Sequence, residues 1–104
     1  MALVSVFTPC HAAYQHFIPG AYASLAAQTH RNWEWVILAF DGLEVQPAVA
    51  SDPRVRVIPG GPMGDVNVGR FKLETVKQCR GEILVELAPI GFGWSLRTTN
   101  LRAH

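Results

Sequence analysis

The run Gln28-Thr29-His30-Arg31-Asn32-Trp33-Glu34-Trp35-Val36-Ile37-Leu38-Ala39-Phe40-Asp41-Gly42 decides the fold. Its first residues read as the end of a helix, and Asn32 closes a tight connection. Trp33 to Phe40 is apolar almost throughout, as expected of a parallel strand covered on both faces. The strand ends on Asp41-Gly42, which sets a carboxylate at its carboxyl end. Open α/β sheets bind ligands just outside those ends. Asp41 is therefore the first candidate for a binding role, although Asp-Gly also serves as a plain turn pair.

Upstream, Leu3-Val4-Ser5-Val6-Phe7 is short, apolar and partly β-branched, a buried first strand that Thr8-Pro9 should stop. Cys10 to Phe17 reads as a connection. Pro19 suits the first turn of a helix, where its missing N–H costs nothing. Ile18, Tyr22, Leu25, Ala26 and Thr29 then follow the spacing of a helix face.

Downstream, Leu43 to Pro53 has no clean period. Gln46 to Ala50 is either a short helical turn or a loop, and Asp52-Pro53 is a turn signal. Arg54-Val55-Arg56-Val57-Ile58 alternates with period two, which marks a half-exposed, edge-ward strand. Pro59 to Gly64 should break it. Asp65 or Asn67 can cap a further helix, with Val68, Phe71, Thr75, Val76 and Cys79 on one face and Gly81 in the C′ role. Glu82 to Leu87 is a fourth strand. The order β-α-β-β-α-β predicts an α/β fold with a mostly parallel, four-stranded, doubly wound sheet.

After Leu87 no period is evident, and every acidic residue lies at or before Glu86. Residues 88–104 are therefore expected to form an irregular tail, and residues 1–87 the domain. The chain has 104 residues, enough for one domain, and its 49% apolar content is ample for a core. A formal net charge of +1 gives no reason to expect nucleic acid or phosphate-rich surfaces as partners. Cys10 and Cys79 are far apart in apolar surroundings, so reduced thiols are the expectation. The amino terminus lacks the basic and apolar regions of a signal peptide, and no stretch approaches the roughly 18 apolar residues of a membrane span.

Other patterns carry less. Gly60-Gly61-Pro62-Met63-Gly64 lacks the Gly-Lys-Ser/Thr ending of a phosphate loop, and its prolines remove the N–H groups such a loop uses. His16 and His30 have no partner at metal-ligand spacing and read as solvent-facing. Cys10 reads as a small buried filler, and Trp33 and Trp35 as packing residues. A flavodoxin-like or receiver domain would need acidic residues after the first strand, where Thr8-Pro9-Cys10 stands.

Taken in order, Val4-Ser5-Val6-Phe7-Thr8-Pro9, Ser24-Leu25-Ala26-Ala27-Gln28-Thr29, Asn32-Trp33-Glu34-Trp35-Val36-Ile37-Leu38, Asp41-Gly42, Asp52-Pro53-Arg54-Val55-Arg56-Val57 and Gly81-Glu82-Ile83-Leu84-Val85 form an ordered set. Over residues 3–87 this set resembles the amino-terminal half of a family 2 glycosyltransferase of the GT-A fold. The resemblance implies a Rossmann-like half-sheet that binds a nucleotide-diphosphate sugar, most naturally a UDP-sugar, for transfer to an acceptor hydroxyl. It implies that Pro9, Cys10 and His11 form the first-strand loop against the base and ribose. It implies that Asp41 accepts a hydrogen bond from uracil N3–H, and that Lys72 or Arg70 lies near the base or phosphates.

In an intact family member an acidic D-x-D motif after the fourth strand would hold Mg²⁺ or Mn²⁺ on the diphosphate, where a hard cation stabilises the leaving charge. Here Ala88-Pro89-Ile90-Gly91 stands at that place, with no carboxylate. The resemblance therefore implies a remnant truncated or frame-shifted after Leu87, with donor binding but no transfer chemistry of its own and no metal held by its own residues. The alternative is a non-catalytic nucleotide-binding or protein-interaction module. Its exposed sheet edge would favour self-association. A cytoplasmic location is expected, peripheral to the inner face of the membrane for an intact member.

Overall fold

The structure is a computed structural model that describes residues 3–29, 31–61, 77–90 and 93–100, with the backbone alone described for residues 13, 61, 88–90 and 93–100. Strand β1 (Val4–His11) leads through a 3₁₀ helix (Ala12–Phe17) into helix α1 (Ile18–Ala27). Strand β2 (Trp33–Phe40), the short helix α2 (Pro47–Ala50) and strand β3 (Val55–Gly61) follow. Strands β4 (Ile83–Ile90) and β5 (Gly93–Asn100) complete the order.

One sheet results, in the order β3-β2-β1-β4-β5. The first four strands in that row are mutually parallel, and β5 joins β4 antiparallel. The chain is thus α/β, and its 3-2-1-4 order is that of four adjacent strands of a Rossmann-like sheet. As its alternating pattern predicts, β3 lies at an edge.

All eight residues of β2 are buried, in accord with a pattern that is apolar but for Glu34. Its two faces feed two cores. Trp33, Trp35, Ile37 and Ala39 pack with Val6 and Cys10 of β1, Ile18 and Ala21 of α1, and Val49 of α2. Val36 packs on the other face with Phe7 and Leu84, against Ile58 and Cys79. Of the predicted α1 face, Ile18 is fully buried while Tyr22 and Leu25 pack at the margin of the first core. Thr8 is buried because its hydroxyl accepts a 2.8 Å hydrogen bond from the Trp35 indole N–H.

The boundaries expected from prolines need correction. β1 does not stop at Thr8-Pro9 but runs to His11, so Pro9, Cys10 and His11 are strand residues and not a loop. The Val4 N–H donates to the Asn32 carbonyl, which fixes the even-numbered residues of β1 as those that bond to β2. The nitrogen of Pro9 therefore faces the other way, beyond the β4 pairing that ends at Phe7↔Glu86. A residue without an N–H is tolerated at such an unpaired place.

Likewise β3 continues through Pro59 to Gly61 on an outer edge. The pairing slips between Ala39↔Pro59 and Phe40↔Gly61, and Gly60 is the extra residue. A Cβ at Gly60 would lie 2.8 Å from two ring carbons of Phe40, so the bulge needs glycine there.

Gly81 does not fill a left-handed C′ role, since Gly42 is the glycine with positive φ among the described residues. It is required for close approach: a Cβ would sit 2.6 Å from both the Leu3 carbonyl oxygen and the Ser5 hydroxyl. Most of the helix expected before it, with Arg70 and Lys72, lies outside the described residues; Lys77 and Gln78 are helical.

The four parallel strands expected are present, and a fifth, antiparallel strand stands where an irregular tail was expected. β4 continues past Leu87 to Ile90, and Gly93–Asn100 pairs back on it from Ile90↔Gly93 to Ile83↔Asn100. Trp94-Ser95-Leu96-Arg97-Thr98-Thr99 does carry a short alternation, completed by β-branched threonines, which is enough to add an antiparallel strand.

Candidate functional site

The ladder between β1 and β2 ends at the pair His11↔Phe40. Beyond it the β1 chain enters the 3₁₀ helix and the β2 chain turns. Asp41 has φ 55° and Gly42 φ 74°, and the Leu43 N–H donates to the Phe40 carbonyl at 3.0 Å. Two central residues with positive φ are the mark of a type I′ turn. Aspartate visits this region more readily than most residues. Leu43 is buried and anchors the far side, while Asp41 and Gly42 are exposed. A side chain held at positive φ on the carboxyl edge of a sheet is local strain of the kind that gathers at binding sites.

Of the residues predicted for the site, the structure brings Pro9, Cys10, His11 and Asp41 to this one edge. Pro9, Cys10 and His11 pair in register with Leu38, Ala39 and Phe40, so His11 lies beside the residue that precedes Asp41. Cys10 takes part through its backbone: the residue is 1% exposed and its thiol donates to the His11 carbonyl, with Sγ 3.6 Å from the oxygen. Burial pushes that thiol up to about 11, which removes it as a nucleophile near neutral pH. Arg70 and Lys72 lie outside the described residues.

The 3₁₀ helix contributes groups that periodicity could not single out. The Tyr14 ring stands edge-on to His11, with centroids 4.7 Å apart and planes at 71°. Tyr14 also stacks on Phe17 at 6.0 Å, and the exposed His16 lies 4.3 Å from Phe17. These rings wall one side of the edge. Gln15 reaches across it: its side-chain carbonyl accepts the Glu44 N–H at 2.9 Å. The sequence signal for this wall is only the aromatic density of His11-Ala12-Ala13-Tyr14-Gln15-His16-Phe17, which follows neither a period of two nor of 3.6.

Polar groups are denser at the opposite, amino end of the sheet, and their chemistry there is structural. Glu34 is 3% exposed and accepts from the Ser5 hydroxyl at 2.5 Å, the Arg80 N–H at 2.6 Å and the Arg56 guanidinium at 3.0 Å. Burial pushes its carboxyl up, but the Arg80 N–H, the Ser5 hydroxyl and the Arg56 charge outweigh this and hold it below its usual range. Arg56 also donates to the Gln78 carbonyl, and the Gly81 N–H donates to the Ser5 oxygen at 2.8 Å.

Nearby, Asp52 accepts from Arg54 at 2.9 Å and from the Tyr22 hydroxyl at 2.7 Å, and the Arg54 side chain is the main cause of its low pKa. The Arg54 guanidinium covers the Trp33 ring at 3.9 Å. Every acceptor in these two clusters is occupied by the protein's own donors, so they clamp strands and leave little for a ligand.

The donor set for a divalent cation does not fit at the expected place. Residues 88–90 are Ala, Pro and Ile within β4, paired with β5, and supply no side-chain oxygen. Among the described residues no group of three or more His, Cys, Asp or Glu is gathered to hold a metal. No helix among them is long and apolar enough to cross a membrane.

No protein-family model matches the chain. The chain is similar to the O-antigen biosynthesis protein RfbC of Myxococcus xanthus, with 29% identity over 90 residues, which covers 79% of this chain. The chain spans about 7% of that relative's length.

Proposed function

We propose that this chain is the donor-binding portion of a glycosyltransferase that would transfer a sugar from a nucleotide-diphosphate sugar, a UDP-sugar, to an acceptor hydroxyl. The observation that carries the reading is the Asp41 turn. It places an exposed carboxylate at the carboxyl end of a buried parallel strand, in register with the end of β1. A carboxylate there can accept the N3–H of uracil, while Pro9, His11 and the backbone of Cys10 border the base and ribose. Arg70 or Lys72 would lie near the base or the diphosphate. The likeness to a protein of O-antigen biosynthesis agrees with this reading.

Residues 88–91 offer no carboxylate to hold Mg²⁺ or Mn²⁺. The chain by itself would therefore bind a donor without completing transfer, and carboxylates for the metal would have to come from elsewhere. Titration with UDP and UDP-sugars, followed by calorimetry and by amide NMR shifts, tests the proposal. Saturable shifts centred on Asp41 and the end of β1 are expected. If no nucleotide perturbs these residues, the proposal is wrong.

The same missing carboxylates favour a second reading, a non-catalytic module that binds a nucleotide or a protein partner. It predicts association through the β3 edge, so nucleotide-blind oligomers on size-exclusion chromatography would favour it.

A further inference from the structure

The geometry at the end of the β1–β2 ladder points to Gln15, and we infer that it is a positioning residue that holds the Asp41 carboxylate in place. The inference rests on the reading of Asp41 as the base contact. Past the last pair, His11↔Phe40, no strand pairing among the described residues restrains the β2 chain. Two features bracket Asp41 there. On the near side, the Leu43 N–H to Phe40 carbonyl bond closes the turn. On the far side, the Gln15 side-chain carbonyl takes the Glu44 N–H at 2.9 Å, a link across 29 positions. Gln15 itself sits on a short helix fixed at its root, where Tyr14 packs edge-on against His11.

The chemistry of the link matters. A backbone N–H just beyond a turn could be satisfied by water, which would leave the segment free to move. The Gln15 amide instead ties it to the element that continues β1. The strand carrying His11 and the turn carrying Asp41 then hold a fixed separation beyond their last ladder pair. A base inserted between them would meet a pre-set carboxylate, and binding would lose less to ordering. Gln15 contacts no part of the base in this arrangement; it acts through Glu44 and the turn.

The test compares Gln15→Leu, which keeps the bulk and loses the acceptor, with Gln15→Glu, which keeps an acceptor oxygen. The first readout needs no ligand: hydrogen exchange at the Gly42 and Glu44 amides of the full chain. Exchange at Glu44 should rise about tenfold or more in Q15L and stay near wild type in Q15E, with thermal midpoints unchanged. The second readout is the ratio of UDP to CDP affinity, in which the shared diphosphate cancels. Cytosine has no N3–H, so wild type should favour UDP by about tenfold or more. Q15L should bring that ratio close to one, and Q15E should retain it.

Unchanged Glu44 exchange in Q15L, or a UDP/CDP ratio in Q15L equal to that of a wild type that does bind, overturns the role of Gln15 and leaves the donor-binding reading standing. Failure of wild type to bind either nucleotide overturns the donor-binding reading, and the positioning role falls with it.

Discussion

Ser5 and Glu34 lie 29 positions apart, and the Ser5 hydroxyl donates to the Glu34 carboxylate at 2.5 Å inside the sheet. The same Ser5 oxygen accepts the Gly81 N–H, and the same carboxylate accepts the Arg80 N–H. One buried acid thus joins β1, β2 and the entry to β4. Replacing Glu34 with Leu would leave a hydroxyl and an amide without an acceptor. Arg56 and Arg80 are partly exposed and can turn to water, which limits the loss. A cost of about 3 kcal/mol is expected, read from the urea midpoint with an unchanged slope. A loss below the measurement error would show that the network adds nothing.

Acid should unfold the protein through two identified carboxyls. Glu34 and Asp52 both titrate lower in the folded chain than their ordinary values of 4.5 and 3.8. For Asp52 the main cause is the Arg54 side chain; for Glu34 donors outweigh the upward push of burial. Below those ordinary values the unfolded chain binds more protons than the folded one, so stability falls as pH drops. It should be level between about pH 5 and pH 8 and decline steadily from about pH 4.5 downward. Glu34→Gln and Asp52→Asn should each flatten the decline. If the double variant keeps the wild-type slope, other groups control acid unfolding.

The two close-approach glycines should respond differently to alanine. At Gly81 the obstructing atoms include the Leu3 carbonyl oxygen and the Ser5 nitrogen, which cannot turn aside. Gly81→Ala should cost about 3 kcal/mol, with no simple rescue. At Gly60 the obstruction is the Phe40 ring. Gly60→Ala should cost about 1–2 kcal/mol, and Phe40→Leu in the same chain should recover part of it, a coupling visible in a double-mutant cycle. Strict additivity would show that the two residues do not obstruct one another.

Asp41 should separate binding from folding. Asp41→Gly removes the Cβ at a φ of 55° and should leave stability within about 1 kcal/mol of wild type. Asp41→Val, β-branched at the same φ, should destabilise by about 1–2 kcal/mol. Asp41→Asn should fold normally and weaken UDP binding by about tenfold or more, the loss expected for a hydrogen bond to a charged acceptor. Full UDP affinity in Asp41→Asn would remove Asp41 from the base contact.

The thiols should be silent. Burial holds both Cys10 and Cys79 at about 11, so at pH 8 only about one thiol in a thousand is ionised. Alkylation at pH 8 should label neither until denaturant is added. Rapid labelling of the native protein at Cys10 would show that the first core opens.

The α/β class, the first four strands and the edge position of β3 were legible because each rests on side-chain pattern, which a linear sequence displays. The position of Asp41 was legible for the same reason: it follows a strand that is apolar but for Glu34. Strand ends were not, because Pro9 and Pro59 lie on strand sides that have no partner, and which side is unpaired depends on the neighbouring strand. The structural role of Glu34 was hidden because its partners come from positions 5, 56 and 80. Gln15 was hidden for a similar reason, since its bond to Glu44 exists only after two chain segments part at the end of a ladder. β5 is hard to discern because its alternation is short and lies in a segment lacking acidic residues.

Strand β2 carries these differences along its own length. Its first turn of side chains is locked by ion pairs and a covered indole, and its last residue opens into a turn with left-handed geometry. Tolerance to substitution should therefore form a gradient along a single strand. Changes at the exposed Asp41 should leave the fold in place, whereas changes at the buried Glu34 should weaken it by several-fold more. The carboxyl end of the strand can in this way vary in sequence without disturbing the architecture held at its amino end.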